Sequence, residues 1–129
     1  MFSILVVEDN ENLNKMMSAK LKMETYNVFS AFNGEEALEV LEHEHIDLII
    51  SDVMMPGIDG YELTKTLRSA NYTMPILMIT AKNQIEDMEK GFVAGTDDYM
   101  IKPINMREMI LRVNALLRRA KIAKERRLI

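Results

Sequence analysis

Cysteine is missing from all 129 residues. That excludes a disulfide scaffold, a thiolate metal site and a cysteine nucleophile together, and it fits a reducing compartment. Long apolar runs are missing too. The longest are four or five residues, against the roughly 20 that a bilayer crossing needs, so no membrane span and no membrane partner are expected. No basic residue and only a short apolar stretch precede Glu8, which is not the layout of a secretory signal. Internal repeats and low-complexity segments are absent. What is present suffices for one core: 48% of residues are apolar and 28% charged, which excludes a wholly disordered chain. The expectation is a soluble, cytoplasmic, single-domain protein.

The formal net charge of −4 conceals an asymmetry. Residues 1–111 hold 9 basic and 19 acidic residues, and residues 112–129 hold 7 and 1. An acidic body does not attract nucleic acid by general electrostatics. The basic tail, Arg118, Arg119, Lys121, Lys124, Arg126 and Arg127, lies near a helix C-terminus, where cations suit the dipole. A solvated helix end outweighs a DNA contact as its explanation. The charged overrun past residue 120 is expected to begin a linker over 121–129, leaving a domain over 1–120.

Short apolar runs alternate with helical patterns. Ile4, Leu5, Val6 and Val7 form a buried-strand run, and Leu13, Met16, Met17 and Leu21 then recur at helical spacing. A second strand is predicted over residues 26–29. After the turn Asn33-Gly34 comes the stripe Ala37, Leu38 and Leu41. Residues 48–50 make a third strand. A loop with Pro56, Gly57 and Gly60 leads to the stripe Leu63 and Leu67. Pro75 opens a fourth strand over 76–79, followed by Ile85, Met88 and Phe92. Residues 99–101 make a short fifth strand. Met106, Met109, Ile110, Val113, Leu116 and Leu117 form a long final stripe. Five strand–helix units in strict alternation predict an α/β fold, an open doubly wound parallel sheet with helices on both faces. Strands apolar throughout, rather than alternately, agree with burial on both sides. The twelve methionines sit mostly on these stripes, where core filling outweighs a metal or heme role.

The informative residues follow the strands. Glu8 and Asp9 follow the first, Ser51 and Asp52 end the third, Thr80 ends the fourth, and Lys102 and Pro103 follow the fifth. In an open parallel sheet these ends share one edge, where ligands bind. Singly, each has a bland explanation as a cap, turn or solvated residue. Jointly, suitable residue types at four of the five strand ends are hard to produce by chance. Three crowded carboxylates repel one another unless a cation intervenes. Mg2+ suits them, because it takes oxygen ligands and usually keeps several waters, leaving room for a substrate oxygen. Thr80 can donate a hydrogen bond, Lys102 is a point charge suited to a phosphoryl oxygen, and an aspartate here can act as a nucleophile. His43 and His45 invite a metal reading, but solvated histidines before the third strand are the better one.

The segments Glu8-Asp9-Asn10, residues 52–60 with Asp52, Met54-Met55-Pro56-Gly57 and Asp59-Gly60, Thr80-Ala81, and residues 97–103 with Asp97-Asp98-Tyr99 and Lys102-Pro103 together resemble the receiver domain of two-component response regulators. The resemblance runs from the first strand to about Arg119. It implies a flavodoxin-like fold with strand order 2-1-3-4-5 and five helices. It implies that Asp52 is the phosphoacceptor, that Glu8, Asp9, Asp52 and the backbone carbonyl of Met54 hold Mg2+, and that Lys102, before a cis bond to Pro103, pairs with the phosphoryl group. Thr80 would hydrogen-bond that group and move toward it, with Tyr99 turning inward in response. The partner implied is a sensor histidine kinase. The chain would not be an enzyme beyond catalysing its own phosphorylation and dephosphorylation.

The end of the pattern, Asp97-Asp98-Tyr99 with Leu116-Leu117-Arg118-Arg119, resembles the OmpR/PhoB subfamily. This implies transcription control through a C-terminal DNA-binding domain beyond residue 129, and a phosphorylation-enhanced homodimer. The expected interface holds Met88, Val93, Asp97, Asp98, Glu108 and Arg112. Asp97 and Asp98 keep Arg112 as a partner in this reading. Met88 replaces the basic partner of Glu108, Val93 and Asn114 replace a third charge pair, and Ile104 stands where phenylalanine is usual. A Mg2+-dependent phosphohydrolase with an aspartyl nucleophile is the alternative. Its nucleophile would follow the first strand, and 129 residues leave no room for its cap domain. A flavodoxin-like cofactor binder would need a hydroxyl- and glycine-rich loop after that strand, where Glu8 and Asp9 would repel a phosphate.

Overall fold

A computed structural model describes residues 1–81 and 85–127. The side chains of Ile85, Arg126 and Arg127, and Leu128 and Ile129 at the end of the expected linker, lie outside the described residues. The elements alternate as expected: β1 Ser3–Val7, α1 Glu11–Met23, β2 Asn27–Ala31, α2 Gly34–His43, β3 Leu48–Asp52, α3 Gly60–Ser69, β4 Ile76–Thr80, α4 Ile85–Ala94, β5 Asp98–Ile101 and α5 Met106–Arg127. All strand pairs are parallel, in the order β2-β1-β3-β4-β5. None of the described helices is long and apolar enough to cross a membrane.

The period-2 geometry of a strand divides each apolar run between two cores. Ile4, Val6, Leu48, Ile50, Leu77 and Ile79 face one side, where Met17, Leu21, Met109, Val113 and Leu117 from α1 and α5 cover them. Leu5, Val7, Ile49, Ile76 and Met78 face the other, covered by Ala37, Leu41, Leu63 and Leu67 from α2 and α3. Both faces are therefore dry, which is why the strands carry no polar alternation.

Several strands run one or two residues longer than the sequence expectation, and β2 and the inward face of α1 differ more. β2 starts at Asn27 and runs to Ala31, because Tyr26 belongs to the preceding turn: its N–H donates to Leu21 O at 3.2 Å, and Ser3 pairs with Asn27. On α1 the inward residues are Asn14, Met17, Ser18 and Leu21, while Met16 is 58% exposed. The apolar stripe is displaced because two polar residues occupy inward positions.

The helices start where the strands end, and the starts of α1, α2, α3 and α5 are each capped by a short polar side chain. Asn10 Oδ1 accepts the Leu13 N–H at 3.0 Å, Asn33 Oδ1 that of Glu36 at 2.8 Å, Asp59 Oδ1 that of Glu62 at 2.8 Å, and Asn105 Oδ1 that of Glu108 at 3.0 Å. Gly60 opens α3 against the end of β3. A Cβ there would stand 2.5 Å from the Asp52 carbonyl oxygen and 2.8 Å from Met78 Sδ. The glycine thus lets α3 approach the strand end that carries Asp52. Gly60→Ala should destabilise the fold by about 1–3 kcal/mol through this overpacking, seen as a thermal midpoint several degrees lower. An unchanged midpoint would mean that β3 and α3 separate freely.

Candidate functional site

The β1–α1 turn supplies Glu8 and Asp9, the last residue of β3 is Asp52, and Lys102 follows β5. Glu8 and Asp52 are buried and Asp9 is exposed. One carboxylate oxygen of each lies within 4.8 Å of the others. Lys102 Nζ donates to Asp52 Oδ2 at 2.6 Å and stands 3.6 Å from Glu8 Oε1. The Lys102–Pro103 peptide is cis. Asp52 Oδ1 accepts the Met54 N–H at 3.2 Å, and Glu8 Oε2 accepts the Asn10 N–H at 3.0 Å. The strand-end residues expected from the sequence do converge, along with an unexpected donor, Asn10.

The electrostatics follow from this crowding. Burial pushes the Glu8 carboxyl up from 4.5 to about 7; the Asn10 N–H opposes the shift, and Asp52 and Asp9 add to it. For Lys102 burial disfavours the charge, but the hydrogen bond and charge of Asp52, and then Glu8, outweigh it and hold the pKa above its ordinary value. Glu8 Oε1 is buried without a hydrogen-bond partner. An orphaned buried carboxylate oxygen, in an all-oxygen donor set with one open side at Asp9, fits a hard divalent cation such as Mg2+.

Thr80 ends β4, whose Ile79 pairs with Asp52, and the Thr80 carbonyl accepts the Lys102 N–H at 2.9 Å. Its buried hydroxyl reaches the Ala81 carbonyl at 3.5 Å, the outer limit for such a bond. Tyr99 is buried, donates to the Met88 carbonyl at 2.9 Å, and meets the Phe92 ring edge-on at 4.9 Å between centroids.

The residues expected at a dimer face fall into two groups. Arg112 donates to both oxygens of Asp98 at 3.1 and 3.0 Å and to Glu108 at 3.0 Å, all within the chain. The expected pairing of Asp97 with Arg112 is replaced. Asp97 Oδ2 accepts from Arg68 at 2.9 Å and from the Ile76 N–H at 2.8 Å, because Arg68 at the end of α3 also holds the Gly95 carbonyl beside it. Asn114 accepts from the Tyr26 hydroxyl. Val93 is 90% exposed, with Leu111, Ile101 and Phe92 also exposed, whereas Met88 is half-buried. His45 pairs with Asp47 at 3.0 Å, and among the described residues only Glu8, Asp9 and Asp52 form a potential metal-binding group.

Besides Asn10 and Arg68, three participants escaped the sequence reading. Asn14 and Ser18 lie four residues apart in register with Met17 and Leu21, a polar pair in a buried stripe, and that spacing was the available signal. Gly91, in the middle of α4, was the other. A Cβ there would stand 1.4 Å from Tyr99 Oη, so the inward tyrosine needs this glycine.

The family model described as the response regulator receiver domain matches residues 4–114. The heme response regulators HssR of Staphylococcus epidermidis and Staphylococcus aureus are each 38% identical over 122 residues, 95% of this chain and 54% of theirs. The chain thus spans about half the length of these relatives. Among solved structures, the receiver domain of the Francisella response regulator 1452 is similar with a TM-score of 0.87 and 33% identity, over 93% of this chain and 99% of that one. A response regulator from Chloroflexus aurantiacus gives a TM-score of 0.85 and 39% identity, over 90% and 97%.

The raised Glu8 pKa has a pH signature. Folded Glu8 binds its proton more tightly than unfolded Glu8, so the metal-free fold loses stability as pH rises from about 4.5 to about 7 and regains none above. Glu8→Gln removes that loss. In chelator, its thermal midpoint should draw level with wild type near the low end of this window and exceed it at about pH 8. A midpoint difference independent of pH would contradict the assignment.

Proposed function

Because the chain belongs to the response regulator receiver family, we propose that it is a phosphorylation-operated switch in which Asp52 takes a phosphoryl group from a phosphohistidine of a sensor histidine kinase. The observation that carries this is the bond from Lys102 to Asp52 inside the Glu8, Asp9 and Asp52 cluster. An Asp52 carboxylate oxygen forms the new O–P bond while the N–P bond of the donor breaks, and the leaving imidazole keeps the electron pair. Bound Mg2+, held by Glu8, Asp9, Asp52 and the Met54 carbonyl, would neutralise and orient the phosphoryl oxygens. Lys102 stands beside Asp52 to pair with one of those oxygens. The domain catalyses its own modification and turns over no metabolite.

Thr80 carries the signal outward: its hydroxyl exchanges the long bond to Ala81 for the phosphoryl group. Such a switch works only through an interaction that differs between its two states, and this bond is that difference. Tyr99, packed under α4 against Phe92, is the second element. Residues 1–120 act as the receiver, and residues 121–129 lead toward a DNA-binding domain outside this chain, through which transcription is controlled as in the OmpR/PhoB subfamily. The half-length match to the relatives supports this.

The output is a homodimer through α4, β5 and α5. With Arg112 already satisfied by its own Asp98 and Glu108, burial of Val93 and Leu111 contributes the attraction at ~25 cal/mol per Å². Exposed ion pairs add only ~0–1 kcal/mol each.

Incubation with phosphoramidate and Mg2+ should add one phosphoryl group, and Asp52→Asn should abolish it by mass spectrometry. Undiminished labelling of Asp52→Asn would reject the assignment. Sedimentation of the beryllofluoride-treated domain should show a dimer that persists at high salt and weakens in Arg112→Glu and Val93→Asp. A monomer at both low and high salt would refute the dimer.

A further inference from the structure

A buried polar network lies beneath the β1–α1 turn. The β1–β2 ladder ends where Val7 pairs with Ala31, so Glu8 and Asp9 stand one and two residues beyond it. Asn14, on the inward face of α1, is 1% exposed. Its side-chain amide gives one hydrogen to the Glu8 carbonyl and the other to the Ala31 carbonyl, both at 3.1 Å. Its Oδ1 accepts from the Ser18 hydroxyl at 3.2 Å, and Ser18 Oγ lies 3.1 Å from Ser30 Oγ. The orientation of the amide is determined: flipped, it would set its oxygen against the Glu8 and Ala31 carbonyls and take this donor away from the Glu8 carbonyl. The Glu8 N–H donates to the same Ala31 carbonyl at 3.0 Å. Both peptide groups flanking Glu8 are therefore tied to the end of β2. The second is the peptide plane between Glu8 and Asp9, whose orientation sets where Asp9 departs from the turn.

We propose that Asn14 is a positioning residue for the cation site: by holding the Glu8 carbonyl it sets the directions in which Glu8 and Asp9 present their carboxylates. This rests on the reading above that these two residues hold a divalent ion. Groups that orient metal ligands without touching the metal typically change metal affinity 10–100-fold when removed. Ser18 contributes by holding the Asn14 amide in its orientation.

The test is a titration of Mg2+ alone into the unphosphorylated protein, followed by amide NMR shifts, alongside the Mg2+ dependence of phosphorylation by phosphoramidate. Asn14→Ala should raise the Mg2+ midpoint about tenfold, while the phosphorylation rate at saturating Mg2+ stays near wild type. Ser18→Ala should raise it less, in the same direction. Leu67→Ala, a core change between α3 and the sheet, should lower the thermal midpoint and leave the Mg2+ midpoint alone. An unmoved Mg2+ midpoint in Asn14→Ala, or an equal rise in Leu67→Ala, overturns the proposal. If Asn14→Ala does not fold, an unmoved midpoint in Ser18→Ala overturns it instead. Wild-type protein that shows no Mg2+-dependent shift fails the underlying reading and the proposal with it, an outcome visible before any variant is compared.

Discussion

Three carboxylates are held within 4.8 Å of one another at the end of a sheet, two of them shut away from water. Such a group repels itself unless positive charge stands among its members. Lys102 supplies one charge and touches only Asp52 closely, so the deficit falls on Glu8. Glu8, whose pKa is raised first by burial and then by Asp52, is left with a buried oxygen that has no hydrogen bond. The same imbalance makes the site respond to what enters it. A divalent cation would relieve the repulsion, and the phosphoryl group of the proposed function would bring oxygens that can take Lys102 from Asp52.

The route from this corner to the surface is set by strand register. Met78 pairs with Tyr99 and Thr80 with Ile101. Residues two apart on a strand share a face, so Thr80 and Tyr99 are diagonal neighbours on the side covered by α3 and α4. A displacement of one alters the space of the other. The inward tyrosine fits only because α4 carries no side chain at Gly91. Its hydroxyl is anchored to the Met88 carbonyl and its ring to Phe92. Phe92 is itself exposed, so the position of a buried ring is reported on the outer face of α4 through one ring contact.

Much of this was legible in the sequence because the signals were local. Short apolar runs bounded by polar residues marked the strands, and the polar residue types just past those runs marked the site. Tyr26 was misread as a strand residue because its aromatic character matches β-propensity while its backbone serves a turn. Met16 was misread as core because it sits beside Met17, and apolarity alone does not say which of two adjacent methionines points inward. Asn14 and Ser18 were missed for the converse reason. A polar residue in a core stripe is tolerated only when every hydrogen bond is satisfied, and the partners, the Glu8 and Ala31 carbonyls, are backbone atoms whose proximity depends on the tertiary fold. Asp97 going to Arg68 was hidden in the same way, since the two residues meet only where the end of α3 reaches the start of β5.

The internal ion pairs of the α4, β5 and α5 face bear on what kind of partner the proposed dimer would select. Arg112 is chelated by Asp98 and Glu108 of its own chain, and the hydrogen bond it donates to Glu108 is foremost in holding its pKa above the ordinary value. A partner's carboxylate would have to displace one of these, exchanging one half-exposed ion pair for another with little net gain. Charge on this face therefore acts mainly by exclusion, since a like charge set against Asp98 or Glu108 is repelled whereas an opposite one is only weakly rewarded. Attraction falls to apolar groups such as Val93 and Leu111, which discriminate by shape. The Met88 carbonyl ties α4 to the Tyr99 ring, so selection by shape is where the proposed phosphorylation would change the choice of partner.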